Sequence, residues 1–222
     1  MTTIGQNYQQ ILTSLPSGVA LTAVSKFHPV AHLQAAYDAG CRVFGESRVQ
    51  ELVGKHEVLP HDIQWHFIGH LQPNKVKYIA PFVSLIHAVD TPKLLAEIHR
   101  RAEANKRLIP CLLQVHIARE ETKFGFTPEE LLEYLDQGSW RKYSSAQISG
   151  LMCMASNTDD MGQVRAEFQR VKSLFDTIKT TFFANDEAFR LRSYGMSHDW
   201  HEAVAAGSNI VRIGTSIFGE RT

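Results

Sequence analysis

Two residues of this chain pair strong chemistry with an apolar setting: Lys26 follows the short apolar stretch Val19 to Ser25, and Arg212 lies inside another, Ile210 to Ile213. A lysine at the end of a buried strand sits near apolar walls, where desolvation disfavours its ammonium and frees the amine to attack a carbonyl. That is what a Schiff-base lysine requires. An ammonium that merely snorkels to a rim is the plainer alternative, and the residue by itself leaves both open. An arginine is always charged, so inside a strand it is costly unless it meets a partner, and Arg212 is read as functional or paired. Gly214, Thr215 and Ser216 follow the same strand, while Gly195 and Ser197 follow the apolar run before it. Backbone N–H groups and hydroxyls at such turns are suited to a phosphate, although ordinary turn chemistry uses the same residues.

Other sources of chemistry are weaker. His66 and His70, His28 and His32, and His198 and His201 are closely spaced, yet none forms HExxH and the partners fall on differing elements or loops, so no metal site is expected. His66, His87 and His116 are read as hydrogen-bonded interior or rim residues. The pairs Glu120-Glu121 and Glu129-Glu130 lie in a loop or at a helix start, where charge suits the dipole, and imply no acid/base dyad. No GxGxxG, Walker A or GxSxG string occurs. Cys41, Cys111 and Cys153 are far apart and read as buried free thiols. Lys+Arg and Asp+Glu both total 23, which leaves no net positive field to collect nucleic acid or an anionic bilayer. With a polar start and no long apolar run, the chain is expected to be a cytoplasmic protein with no nucleic-acid or membrane partner.

These residues need positioning, and the periodicity says how. Ile4, Tyr8, Ile11, Leu12 and Leu15 recur at helical spacing before Pro16-Ser17-Gly18, so the chain opens with an amphipathic helix. A strand and a helix then alternate: Val19 to Ser25 with Val30 to Ala39, Arg42 to Gly45 with Val49 to His56, Ile63 to Gly69 with Asn74 to Ile79, and Ser84 to Val89 with Pro92 to Asn105, capped by Thr91 or Asp90. Ile109 to Ile117 precedes Pro128 to Leu135, and Gln147 to Met154 precedes Asp159 to Lys179. Phe189 to Gly195 and Ile210 to Ile213 are the last strands, with the helix Asp199 to Ala206 between them. Gln137 to Ala146 is read as a surface loop.

Eight strand-like segments, each nearly continuous in apolar residues, predict parallel strands buried on both faces. At 222 residues they fit a short (β/α)₈ TIM-type barrel, residues 1–222 forming one domain, with an open doubly wound sheet as the alternative. The first helix would close the bottom, or fill the gap left by a missing last helix. A barrel's active face lies at the carboxyl ends of its strands. Four exits therefore stand out: Val24-Ser25-Lys26, Phe44-Gly45-Glu46, Gly195-Met196-Ser197, and Arg212 to Ser216.

Several strings in one order now carry a likeness: Ala23-Val24-Ser25-Lys26; Trp65-His66-Phe67-Ile68-Gly69 with Leu71-Gln72 and Asn74-Lys75; Gly195-Met196-Ser197 with Asp199; and Val211-Arg212-Ile213-Gly214-Thr215 with Ile217-Phe218-Gly219. From Ala23 to Arg221 the chain resembles the pyridoxal phosphate homeostasis proteins, which look like the barrel domain of alanine racemase without its second domain, a fold type III barrel. The resemblance implies pyridoxal 5′-phosphate (PLP) held as a Schiff base on Lys26, its phosphate held by Ser197, Gly214 and Thr215, and Arg212 facing the pyridine nitrogen. Three departures accompany it. Gly45-Glu46-Ser47-Arg48 replaces the family's Gly-Glu-Asn-Tyr, His116 stands for an Asn, and Lys123-Phe124-Gly125 for Lys-Ser-Gly, with Lys123 a second candidate amine.

Two functions follow from this resemblance, a monomeric carrier that stores, buffers or delivers PLP to PLP-dependent apoenzymes, and an amino-acid racemase. Racemisation needs a base on each face of the substrate Cα, and alanine racemase takes one from the domain the likeness does not cover. Arginine at the pyridine nitrogen weakens the ring as an electron sink. The carrier is favoured, with no catalytic residue assigned. A barrel enzyme acting on a phosphorylated metabolite without PLP is the third reading.

Overall fold

The computed structural model describes residues 2–117 and 124–220, so Glu120-Glu121 and Lys123 lie outside the described residues. Strands β1 (Ala20–Val24), β2 (Val43–Glu46), β3 (Gln64–Phe67), β4 (Leu85–Val89), β5 (Ile109–His116), β6 (Ala146–Met154), β7 (Leu191–Ser193) and β8 (Ile210–Ile213) pair in chain order. β8 closes on β1 in parallel, with Ala20 beside Ile210 and Thr22 beside Arg212. Helices α2 (Val30–Asp38), α3 (Val49–Val58), α4 (Val76–Ile79), α5 (Pro92–Ala104), α6 (Pro128–Asp136), α7 (Met161–Phe182) and α8 (Trp200–Ala205) follow β1 to β7 in turn. The expected eight-stranded parallel barrel is the observed one.

Local chemistry explains where the helices start. Thr91, not Asp90, caps α5, its hydroxyl accepting from Leu94 N at 3.2 Å ahead of Pro92 in the first turn. Thr127 and Glu130 form a reciprocal capping box at α6, and Asp160 caps α7 through Gln163 N at 3.0 Å. Alternation along the strands then divides the core. Outward residues such as Phe44, Trp65, Phe67 and Val211 pack beneath the helices, while Leu85, Ala88, Leu112, Met152 and Ile210 make a separate apolar cluster. Two residues beyond Leu85 and Ile210, on the same strand faces, come His87 and Arg212, so an apolar plug gives way to a polar layer.

Four details differ from the periodicity. The seventh strand is short, because Phe189 is buried against Phe175 and Phe183 and Gly195 takes a positive φ of 88°. Gln137 to Ala146 is not simply a loop. It holds a 3₁₀ turn, Ser139–Lys142, since Trp140 stacks on Phe183 and donates to Leu135 O at 2.9 Å, and Ala146 already belongs to β6. The stretch expected as one helix from Asn74 opens with a 3₁₀ turn, Pro73–Lys75. A short helix α9 (Thr215–Phe218) follows β8, and the opening helix α1 (Thr3–Ser14) packs between α2 and α9. Asn7 donates to Ile217 O at 3.2 Å and Gln9 to Ala39 O at 2.5 Å. The opening helix thus supplies the length that α9 lacks.

Cys41, Cys111 and Cys153 are buried thiols, and burial pushes the Cys41 thiol up to about 12. No helix among the described residues is long and apolar enough to cross a membrane.

Two glycines test this packing in opposite directions. A Cβ on Gly150 would fall on the Leu191 carbonyl of the neighbouring strand, whereas one on Gly54, at an exposed position of α3, meets nothing within 4 Å. Gly150→Ala is expected to cost ~3 kcal/mol or more in denaturant unfolding. Gly54→Ala should stabilise by roughly 0.5–1 kcal/mol in the same measurement.

Candidate functional site

The inward residues at the strand ends enclose a cleft of about 210 Å³. Lys26, Ser197, Arg212, Gly214 and Thr215 all line it, so the five residues singled out in the sequence share one site. Val24, Ile68, Met154 and Met196 supply apolar walls, and His198 lines it as well. Ile68 and Met154 are not among the site residues that the sequence singles out. The signal was parity, since each lies two residues beyond an inward-facing residue, His66 or Met152.

Arg212 is 4% exposed, and its partners are neutral oxygens. Nη1 donates to Ser193 O and Ser193 Oγ, both at 2.6 Å, and Nη2 to Cys153 O at 2.9 Å. A guanidinium has five N–H groups, so two are left without an acceptor among the described residues. Desolvation lowers its pKa from the usual value. An arginine nevertheless keeps its proton near neutrality.

This cation stands at one end of a chain of hydrogen bonds across the barrel. Ser193 Oγ accepts from Arg212 and lies 2.9 Å from His87 Nδ1, and His87 Nε2 lies 3.0 Å from His66 Nδ1. Thr22 Oγ1 lies 3.2 Å from the same His66 nitrogen. Burial pushes His66 down to about 4, and His87 falls well below its usual value through burial, then His66 and Arg212. Both imidazoles are neutral at physiological pH, and both are the hydrogen-bonded interior residues expected from the sequence.

The loops after β7 and β8 are fastened together. Gly214 N donates to Ser197 Oγ at 3.4 Å, and Asp199 Oδ1 accepts from Met196 N at 2.6 Å. A Cβ on Gly214 would come 2.9 Å from Val24 O, so only glycine leaves that space open. The first turn of α9 leaves the N–H groups of Thr215 and Ser216 without helical acceptors. Lys26 sits in the turn just past β1, half-buried rather than deep inside an apolar wall.

Among the described residues, the departures from the family strings are not in the lining of this cleft. Arg48 stacks over the Phe27 ring at 4.6 Å, and His116 lines a separate depression with Pro128 and Arg170. His70, from the histidine pairs, bonds Asp90 at 2.6 Å.

The strand ends of a closed parallel barrel thus gather an amine, a buried guanidinium and glycine-hydroxyl turns. Over residues 1–222 the sequence matches the family described as alanine racemase, N-terminal domain, and the chain belongs to that family. It is 39% identical to the pyridoxal phosphate homeostasis protein of Aquifex aeolicus (strain VF5), over 90% of this chain and 86% of that one, which places it with the homeostasis proteins. Among solved structures, PipY of Synechococcus elongatus PCC7942 without PLP superposes with a TM-score of 0.90 at 35% identity, covering 97% of this chain and 100% of PipY. The structure of PipY with PLP bound gives 0.88 at 34% identity over the same shares.

The neutral histidines make stability depend on pH. His66 has an ordinary value of 6.5 when unfolded and about 4 when folded, so between these values the unfolded chain binds more protons. Stability is therefore unaffected above 6.5 and falls with pH below it, by up to about 1.4 kcal/mol per pH unit for this residue. Denaturant unfolding from pH 7 to 4.5 should show a shallower slope in His66→Gln than in the parent; equal slopes would contradict the assignment.

Proposed function

We propose that this chain binds PLP in the cleft at the carboxyl ends of its strands and serves PLP homeostasis, storing, buffering or delivering the cofactor without steady turnover. On this reading residues 1–222 act as one domain and as a monomer, in the cytoplasm, with PLP-dependent apoenzymes as recipients. One observation carries it: Lys26, Ser197, Arg212, Gly214 and Thr215, from three separate strand exits, line one cleft that has no carboxylate in its lining. The overall charge balance of the chain hides this local excess of cations.

When bound, PLP supplies an aldehyde open to amines, a phosphate anion and a pyridine nitrogen. The residues fit each part. Lys26 offers the amine for a covalent linkage. Ser197 offers its hydroxyl, and Thr215 its hydroxyl and backbone N–H, while the space over Gly214 lets an anion approach the backbone. Arg212 keeps N–H groups for an acceptor and cannot readily give up a proton, which suits an unprotonated ring nitrogen. Its guanidinium is held in place by Ser193 and Cys153 O.

The phosphate assignment has a direct test. A charge-assisted hydrogen bond contributes roughly 1.5–3 kcal/mol, so Ser197→Ala with Thr215→Ala should weaken PLP at least about tenfold and pyridoxal far less. Equal losses for the two ligands would place the phosphate elsewhere.

The racemase reading has His198 in its favour, a second proton-transferring side chain in the cleft lining. Holoprotein incubated with single enantiomers of several amino acids in deuterated water should keep optical purity and take up no Cα deuterium catalytically. Lys26-dependent racemisation at about 1 per second or faster would make the chain an enzyme instead.

A further inference from the structure

Glu46, at the second of the strand exits, does not line the cleft, yet its side chain is fully buried. It meets Lys55, whose side chain is 6% exposed, across 2.7 Å. The Lys55 ammonium has three N–H groups and three acceptors: Ser25 O at 2.8 Å, Glu46 Oε1 at 2.7 Å and Glu51 Oε1 at 2.7 Å. Ser25 Oγ also donates to Glu46 Oε1, at 2.5 Å, and Phe27 N donates to Glu51 Oε1, at 2.6 Å. The cluster therefore grips the residue before Lys26 through two of its atoms, and the residue after it through the backbone.

Phe27 holds a φ of 68°, one of two positive values at non-glycine positions among the described residues. A bulky side chain keeps such a backbone only where its surroundings over-determine it. The bond from Phe27 N to Glu51, together with His28 N donating to Ser25 O at 3.1 Å, supplies that constraint. Burying the Glu46–Lys55 pair to build a surface turn would be a poor route to stability, since a buried ion pair roughly breaks even against apolar residues. What the cluster does supply is a fixed direction for one side chain.

We propose that Glu46, Glu51 and Lys55 are positioning residues for Lys26: by clamping both of its chain neighbours they set the direction in which its side chain leaves β1, and hence the approach of its amine to a bound aldehyde. This rests on the PLP reading above. In the linkage step the Lys26 Nζ lone pair forms a bond to the aldehyde carbon, two protons leave the nitrogen, the carbonyl oxygen departs with them as water, and C=N replaces C=O. A misdirected amine loses this linkage while the phosphate and ring contacts are kept.

Full-length protein carrying Lys55→Met, Glu51→Gln, or Glu46→Gln with Lys55→Met is compared with the parent. Three quantities are measured: affinity for PLP, affinity for pyridoxamine 5′-phosphate, which has an amine in place of the aldehyde, and melting of the apoprotein. Lys55→Met strands a buried carboxylate, so its melting temperature should fall. Its PLP affinity should drop about tenfold or more, with pyridoxamine 5′-phosphate changed less than about twofold. The double variant, with no stranded charge, should regain melting temperature but not PLP affinity. Glu51→Gln, at a partly exposed position, should show the same selective loss in smaller measure and carries the test if Lys55→Met fails to fold. PLP affinity that recovers along with melting, equal losses for both ligands, or no loss would each overturn the clamp. A parent protein that never links PLP at Lys26 overturns the underlying reading, a result distinct from a linked parent whose variants bind PLP unchanged.

Discussion

A permanent cation buried inside a barrel is the constraint around which this molecule is organised. Removing a guanidinium from water costs several kcal/mol unless acceptors replace its hydration. For Arg212 those acceptors are Ser193 O, Ser193 Oγ and Cys153 O, all uncharged. The last three strands are thereby joined at the floor of the cleft by a side chain as well as by their ladders. No carboxylate bonds it, so its remaining N–H groups are left for whatever enters the cleft. A chain with equal acidic and basic totals still presents a local positive field beside Lys26.

Two networks of opposite character flank the site. On the Arg212 side, Ser193, His87, His66 and Thr22 form a network of uncharged groups that begins at an arginine able only to donate. Neutral imidazoles add no charge that competes with the cation, and the buried Asp199 carboxylate acts on it through space without bonding it. On the Lys26 side, Lys55, Glu46 and Glu51 carry charge but spend it on one another and on the Ser25 to Phe27 backbone. The first crosses the barrel from β8 and β7 to β4, β3 and β1, and the second joins the turn after β1 to β2 and the helix that follows it.

The barrel was legible because βα periodicity is a local property that repeats, and because strands buried on both faces read as continuous apolar runs. The cleft was legible where chemistry and location coincide in sequence. Lys26, Ser197, Arg212, Gly214 and Thr215 each end a strand, lie within one or begin the turn after it, and strand ends face the site in this architecture. The seventh strand was overread at both ends because Phe189 is apolar for packing against Phe175 and Phe183, not for pairing. The clamp was out of reach of sequence reading. Lys55 looks like one more solvated lysine in the last turn of a helix, and its burial depends on the helix after β2 reaching back beneath the turn after β1. Ile68 and Met154 were missed because strand ends could not be fixed closely enough to settle which residue still faces inward.

The central claim is that Lys26 is the amine of this cleft and that PLP is its ligand. It is tested most directly by adding PLP to the purified protein, reducing with borohydride, and mapping the modified peptide by mass spectrometry. The account predicts one pyridoxyl-phosphate adduct per chain, on Lys26, with loss of visible absorbance on reduction. An adduct confined to Lys75 or Lys123, or scattered over surface lysines with Lys26 unmodified, would contradict it.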